Sequence, residues 1–375
     1  MEINLMILDS FITAPNSRDR LSITTEMAQK VFSYLQLMPE FLDCLLPFGL
    51  RERSLDCYST SFQACDRDEQ TPCGLRINAL GRSGRQMEHC YGLRSVERSP
   101  SQTDWPWSIR PCSVYHSLDL ESGSSSWVIV KANRLIQTLV RDAYVSQSRR
   151  TPPSDYPPAR SVAEAMETHR LIATWCTSTW SQYIGFLESS LQELTRPTLS
   201  ATFEREEVPL ANGQVLNEMS MYIPTVHERD QEYEEKPTAP KRITSSLRSL
   251  SQRVSTFRGM RSKSDAPVME TTPVTQHAFT FKDIPRVHFI EEKANEATNI
   301  MANNEDVLED LKLDYEEVIA NTADLQDRRD CKAALAKLVK HIERAQNNLR
   351  RQRGRIEQLL KLLEGRKALV CIHKI

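Results

Sequence analysis

The side chains best suited to chemistry in this sequence are carboxylates near the C-terminus. Two adjacent pairs stand four residues apart, Glu305 with Asp306 and Glu309 with Asp310. Residues four apart share a face of a helix, so the two glutamates approach each other and so do the two aspartates. Hard cations such as Mg²⁺ prefer oxygen ligands and often bind one or two carboxylates while keeping several waters. The spacing predicts a magnesium-binding surface, and the alternative is an ordinary solvated face of a helix.

No catalytic constellation accompanies these carboxylates. The sequence contains no glycine-rich phosphate loop, no nucleophile elbow and no HExxH motif. Its nine cysteines include no CxxC pair, which is typical of free thiols in a reducing compartment. His169 lies on an apolar helical stripe, and no second ligand is spaced with it, so it is interpreted as a core or half-exposed histidine and not as a ligand. We therefore expect no enzyme and no firm cofactor beyond Mg²⁺ at the acidic surface.

The overall charge and hydropathy exclude two further classes of protein. The 48 basic and 50 acidic residues nearly cancel, which is not the balance of a nucleic-acid-binding protein. No run of about 18 apolar residues is present, so the sequence predicts no membrane-spanning helix. The N-terminus lacks the basic lead and cleavage site of a signal peptide. We expect a cytoplasmic protein that reaches a membrane only through a missing C-terminal segment or a partner.

The acidic residues belong to the first of two long helical patterns in the sequence, and each pattern carries apolar residues at regular spacing. The second pattern repeats an apolar residue every seven positions, at Leu335, Ile342, Leu349, Ile356, Leu363 and Val370. The first has two such columns, Val287, Ala294, Met301, Leu308 and Tyr315, and Ile290, Ala297, Leu311 and Val318. A continuous apolar stripe needs a partner helix. We therefore predict that the two helices pack antiparallel as a coiled-coil-like stalk, the second being about 60 Å long.

The N-terminal half predicts a mixed α/β head. Apolar residues at helical spacing predict a helix over residues 27–38 and another over residues 162–195, ended by the proline at 197. Residues 90–96 predict a short strand, and residues 107–120 and 127–130 predict a β-hairpin around a Ser-rich turn. The fold class is α+β.

Composition divides the chain into three parts. Residues 1–198 form the head, and residues 278–375 form the helical stalk, which ends before any transmembrane helix. Residues 199–277 are first acidic and then basic and rich in serine, with few large apolar side chains to bury. That composition is typical of a disordered linker.

Several of these stretches match one family in the same order. They are residues 37–42 with 47–49, 90–94 with Glu97, 106–110 with 114–116, Trp127, 180–184 with 187–188, and 291–297 with Leu308, Leu311 and Tyr315. Together they resemble the fungal CorA-like transporter domain, the cytosolic part of relatives of the CorA magnesium channels. The most specific piece is the Pro-Trp-Ser-Ile-Arg string at 106–110.

The resemblance implies a cytosolic α/β head followed by long helices that form a funnel. It also implies assembly as a homo-oligomer, conduction of divalent cations and gating by cations bound to the cytosolic domain. The family's conducting part has two membrane helices and a Gly-Met-Asn signature. Here the chain stops at Ile375 before any such helix, and residues 259–261 read Gly-Met-Arg. We therefore expect the cytosolic domain of a magnesium-transporter relative that lacks the pore, and its partners would be further copies or a membrane-embedded CorA-like protein. The alternative is a soluble coiled-coil scaffold that binds other proteins.

Overall fold

The computed structural model describes residues 7–15, 19–48, 61–65, 75–78, 82–99, 104–148, 158–201, 283–322 and 329–372. The strands in these segments are β1 Ile7–Ile12, β2 Phe62–Ala64, β3 Gln86–Arg98, β4 Trp107–Asp119 and β5 Ser125–Val130. The helices are α1 Thr25–Leu35, α2 Phe41–Leu45, α3 Arg134–Ser148, α4 Pro158–Thr177, α5 Trp180–Ala201, α6 Ile284–Asn321 and α7 Arg329–Ile372. The expected α+β class is confirmed.

The five strands form one sheet in the order β1-β5-β4-β3-β2. Among the described strands, β1 alone runs parallel to its neighbour, and the other pairs are antiparallel. The predicted hairpin is β4 and β5, with Ser113 opposite Val130 and Leu118 opposite Ser125. Asp119 closes its turn, because the Asp119 carboxylate accepts hydrogen bonds from two backbone amides of the loop at 3.0 and 2.8 Å. The hairpin prediction is confirmed.

Alternate residues of the three central strands enter two different cores. One face packs against α3, α4, α6 and α7 through Met87, Tyr91, Leu93, Val114, Leu118, Trp127 and Ile129. The opposite face packs against α1 and α2 through Cys90, Tyr115, Val128 and Val130. Successive side chains of a strand point to opposite faces, so every second residue of β3 and β4 points toward α4. The sheet is therefore the middle layer of three.

The predicted helix at 27–38 is shorter than expected. Helix α1 ends at Leu35, where Gln36 adopts a left-handed conformation with φ of 54°. Thr24 caps its start by accepting a hydrogen bond from the backbone N–H of Met27 at 3.1 Å. Leu35 is buried, but Met27 remains 59% exposed, so only part of this apolar pattern is core.

The predicted single helix over residues 162–195 is wrong in two respects. It is two helices, because Thr179 interrupts it: the Thr179 carbonyl accepts the backbone N–H groups that begin α5, and its hydroxyl donates to the Val96 carbonyl of β3. The second helix continues to Ala201 instead of ending near Thr195. Pro197 lies inside it, at the loss of the one hydrogen bond that its nitrogen cannot donate.

The two long helices pack antiparallel, as predicted. Near one end Lys367 pairs with Glu291, and further along the Gln346 amide donates to the Glu309 carboxylate at 3.0 Å. Helix α6 has 38 residues and α7 has 44, which gives lengths of about 57 and 66 Å. The apolar columns face inward, and their fully buried members on α7 are Ile342, Leu349, Ile356 and Leu363.

The long helices also pack against the sheet. Beyond Tyr91, β2 no longer covers β3, and there the Asn304 side chain accepts from the Arg94 N–H at 3.1 Å and donates to the Arg94 carbonyl at 2.7 Å. Contacts place Met1–Ser200 and Ala278–Ile375 in one compact unit. The second unit, Ala201–His277, lies outside the described residues apart from Ala201, and the predicted linker at residues 199–277 falls there.

Candidate functional site

The structure separates the four predicted cation ligands into a paired half and an open half. Glu305 is buried, with 7% of its surface exposed. Arg350 donates from Nε to Glu305 Oε2 at 3.1 Å, and Arg353 donates from Nη1 to Oε1 at 3.2 Å. Both carboxylate oxygens of Glu305 are therefore bound to arginines of α7. Its geometry is that of an ion pair between the two long helices.

Glu309 is also engaged. Lys312 donates to its carboxylate at 2.5 Å and Gln346 at 3.0 Å. These two donors hold the pKa of Glu309 below its ordinary value, the lysine contributing more. A cation would have to displace Lys312 to bind here.

Asp306 and Asp310 form the open half. Both side chains are exposed on α6, and neither has a cationic partner among the described residues. The pKa of Asp310 is raised, first by partial burial and then by the negative charges of Asp306 and Glu309. The like charges predicted from the four-residue spacing are therefore brought together at this pair.

A second cluster lies under the sheet, and it consists of histidines. His89 on β3, His116 on β4 and His169 on α4 are each 0% exposed. One ring nitrogen of each lies within 4.8 Å of the others. Strand pairing explains the first contact, because His89 and His116 are directly opposite each other in the β3–β4 register. His169 reaches them from the helix that covers this face.

Each imidazole of the cluster has a hydrogen-bond partner on its outer side. His89 Nε2 lies 2.6 Å from the Asp314 carboxylate of α6. His116 Nε2 lies 3.2 Å from the Ser125 hydroxyl, and His169 Nδ1 lies 2.6 Å from the Tyr91 hydroxyl. On the inner side, His169 Nε2 and His116 Nδ1 are 3.2 Å apart. The three rings therefore turn one nitrogen outward to an oxygen, and two of them meet through the other.

Burial controls the charge of this cluster. The pKa values of His116 and His169 are lowered well below the ordinary value, chiefly because burial disfavours the imidazolium ion. Neighbouring histidines add a like-charge penalty in the same direction. Both rings are consequently neutral at pH 7, and each retains one nitrogen lone pair. Trp127 stacks on His116 with ring centroids 3.9 Å apart and fixes its orientation.

The interpretation of His169 as an isolated core histidine is correct on burial but missed its neighbours. The predicted strand at 90–96 starts one residue after His89, whereas β3 starts at Gln86. The sequence does place each strand histidine on the inward face of its strand, because side chains alternate between the two faces. His89 is on the same face as Tyr91 and Leu93, and His116 is on the same face as Val114 and Leu118. Finding the cluster required the β3–β4 register as well as the strands.

Among the helices of the described segments, none is both long and apolar enough to span a membrane. No curated protein matches the sequence. A family model for CorA-like transporters matches residues 9–199, which include the five-stranded sheet and helices α1 to α5 except for the first two residues of β1 and the last two of α5. Because this match covers half of the chain, the protein belongs to the family of CorA-like transporters.

Proposed function

We propose that this chain is the cytosolic, cation-responsive part of a divalent-cation transporter of the fungal CorA-like type, with Mg²⁺ as the transported ion. The observation that carries the proposal is the family match over the sheet and its flanking helices. The structure supports it with two long antiparallel helices packed against that region, the arrangement expected for a funnel. The chain would act with further copies of itself or with a membrane-embedded CorA-like partner.

Within this function, we assign the cation-responsive surface to the acidic face of α6. Of the four carboxylates, Asp306 and Asp310 are the pair available to a hydrated Mg²⁺, because Glu305 and Glu309 already bind basic side chains. Mg²⁺ keeps most of its waters, so two exposed carboxylates suffice as protein ligands. Relief of their repulsion supplies the free energy that favours the bound state.

The test is a thermal melt of the full chain in MgCl₂ against NaCl at equal ionic strength. At 100-fold over its dissociation constant, a cation that binds only the folded state adds about 2.7 kcal/mol, which raises the melting temperature by several degrees. The double variant Asp306→Asn and Asp310→Asn should melt at the same temperature in both salts. The matched control is Glu317→Gln, another exposed carboxylate of α6, which should keep the full magnesium increment.

An absent magnesium increment in the unaltered chain would overturn the cation-responsive assignment. The soluble scaffold would then be the better reading of the two long helices. An increment that survives in the double variant would place the cation elsewhere on the chain and remove Asp306 and Asp310 from the proposal.

A further inference from the structure

Packing of the core alone does not explain the buried cluster of three histidines. Filling a core with three imidazoles buries six ring nitrogens, and each buried polar atom without a partner costs free energy. Apolar side chains would fill the same space without that cost. Yet His89, His116 and His169 converge from three different elements and are completely buried. Such convergence of ligand-type side chains is the feature that needs an explanation.

The outer hydrogen bonds permit the tautomers that are suited to metal binding. Metal-bound histidines usually donate their second ring N–H to a carboxylate, hydroxyl or carbonyl oxygen, which orients the ring and raises its basicity. Here the outer partners are the Asp314 carboxylate, the Ser125 hydroxyl and the Tyr91 hydroxyl, and all three can accept a hydrogen bond. With protons on those outer nitrogens, the inner nitrogens keep their lone pairs.

We propose that His89, His116 and His169 bind one divalent transition-metal ion of the imidazole-preferring class, of which Zn²⁺ is the representative. The ligand atoms are His116 Nδ1, His169 Nε2 and His89 Nδ1, each being the nitrogen opposite the outer hydrogen bond. Neutral imidazole suits zinc, copper, nickel and iron, whereas Mg²⁺ and Ca²⁺ require oxygen ligands. This site is therefore distinct in chemistry from the acidic face of α6.

The inner distances agree with tetrahedral coordination. Zinc–nitrogen bonds of about 2.0–2.1 Å place two ligands of a tetrahedron about 3.3 Å apart. His116 Nδ1 and His169 Nε2 already lie 3.2 Å apart. One ring nitrogen of His89 lies within 4.8 Å of a ring nitrogen of each of the other two histidines, so a side-chain shift on the order of 1.5 Å brings the third ligand to the same spacing. Three imidazoles leave one tetrahedral position for an oxygen ligand.

Asp314 gives the site part of the charge that a buried cation needs. Its carboxylate lies 2.6 Å from His89 Nε2, and only 13% of its side chain is exposed. A dication held by three neutral rings is costly in a dry core unless a negative group lies nearby. Asp314 also belongs to α6, so the metal would connect β3, β4 and α4 directly and α6 through one hydrogen bond. Metal binding would thereby stabilise the packing of the long helix on the sheet.

The first experiment counts metal on the full chain. The protein is stripped with a chelator, exposed to ZnCl₂, dialysed and analysed by mass spectrometry of its metals, and we expect one zinc per chain. Because the chain has nine cysteines, Co²⁺ is then bound in place of zinc and its visible spectrum recorded. Nitrogen ligation gives d–d bands without thiolate-to-metal charge transfer. Retention of no zinc, or a thiolate spectrum, would overturn the proposal.

The second experiment uses variants whose zinc affinity is measured by titration calorimetry. His116→Asn and His169→Gln should each abolish binding. Since either could fail to fold, the deciding variant is Asp314→Asn at the edge of the cluster, which should weaken binding about 10- to 100-fold. The matched control is His341→Gln, a half-buried histidine of α7 outside the cluster, which should leave affinity unchanged. Equal affinity of Asp314→Asn and the unaltered chain would refute the site.

These outcomes are independent of the proposed transport function. Mg²⁺ serves as the competing ion in the calorimetry and should not displace zinc, because imidazole is a poor ligand for it. Loss of the magnesium increment in the melts would leave the zinc result standing, and the reverse is equally true.

Discussion

The acidic face of α6 and the histidine cluster are the two proposed cation sites of this chain, and their surroundings are opposite. They lie close in the chain, since Asp310 is four residues before Asp314. Yet Asp310 is exposed to water, while Asp314 is mostly buried against a histidine of the sheet. At the exposed site, partial burial and the neighbouring negative charges of Asp306 and Glu309 raise the pKa of Asp310. At the buried cluster, burial lowers the pKa values of His116 and His169, so these two imidazoles are neutral.

This difference teaches which part of a site a sequence can reveal. The acidic face depends on one periodicity within one helix, so its four residues were predicted from spacing alone. Sequence could not show that Glu305 would be bound by two arginines located 45 and 48 positions later. The availability of a ligand is a tertiary property even where its position is a local one.

Both regions include residues of α6, and α6 packs against α7 through the apolar columns. Disrupting this α6–α7 interface should therefore have the largest effect. We expect the double variant Leu349→Asp and Ile356→Asp to unfold the helical pair. Both side chains are completely buried, and an unpaired charge there costs roughly 3–5 kcal/mol each. The sum is comparable to the whole stability of a typical domain. Circular dichroism and sedimentation velocity measure the loss.

The matched control for this double variant is Leu362→Asp on the same helix, where the side chain is 56% exposed. This variant should keep its helicity, since its charge stays in water. A double variant with the helicity and sedimentation of the unaltered chain would show that the apolar columns do not hold α6 and α7 together.

Acidification should distinguish the two regions by sign. Because the pKa values of His116 and His169 are lower in the folded state than in the unfolded chain, the unfolded state binds more protons below about pH 6.5. Their contribution is constant above that pH and is lost as the pH falls, by up to about 1.4 kcal/mol per pH unit for each ring. Asp310 acts in the opposite direction, because its raised pKa favours proton uptake by the folded state.

The measurement is the free energy of unfolding in urea between pH 7 and pH 5, without metal. His169→Gln should reduce the slope, because it removes one of the two rings whose pKa is lowered in the folded state. Equal slopes for the unaltered chain and His169→Gln would show that His169 titrates alike in the folded and unfolded states. The groups that face the two buried rings are His89, Tyr91, Ser125, Trp127 and Tyr315.

The fold itself was predictable to the extent that its signals are local. The hairpin of β4 and β5 and the apolar columns of the long helices follow from short-range patterns. The break at Thr179 was not predictable, because it depends on a hydrogen bond to Val96 on a distant strand. The histidine cluster was not predictable for the same reason. Residues 89, 116 and 169 come together through strand register and helix packing, and neither has a local signature in the sequence.

A smaller effect should separate the paired from the open carboxylates. Glu305→Gln removes the charge that binds Arg350 and Arg353, and we expect it to lower stability by about 1–3 kcal/mol. Arg350 is more than half exposed, which favours the lower end of that range. The magnesium increment should be unchanged, because this residue is an ion-pair partner rather than a cation ligand. A lost increment with unchanged stability would reverse the two roles.

The smallest effect concerns Asp310 alone and tests whether repulsion is the physical basis of the acidic face. In the absence of divalent cations, Asp310→Asn should stabilise the chain by a few tenths of a kcal/mol, because it removes a like charge from Asp306 and Glu309 while keeping the shape of the side chain. The gain should fade at high salt, which screens exposed charges.

The control is Glu357→Gln, an exposed position four residues from both Arg353 and Lys361, where the same chemical change should destabilise slightly. Opposite signs in urea titrations of these two variants would show that Asp310 stands in an unfavourable field that a cation can relieve. A destabilised Asp310→Asn variant would mean that the carboxylate already has a favourable role in the folded chain, and the acidic face would then be a solvated surface with no stored repulsion for Mg²⁺ to release.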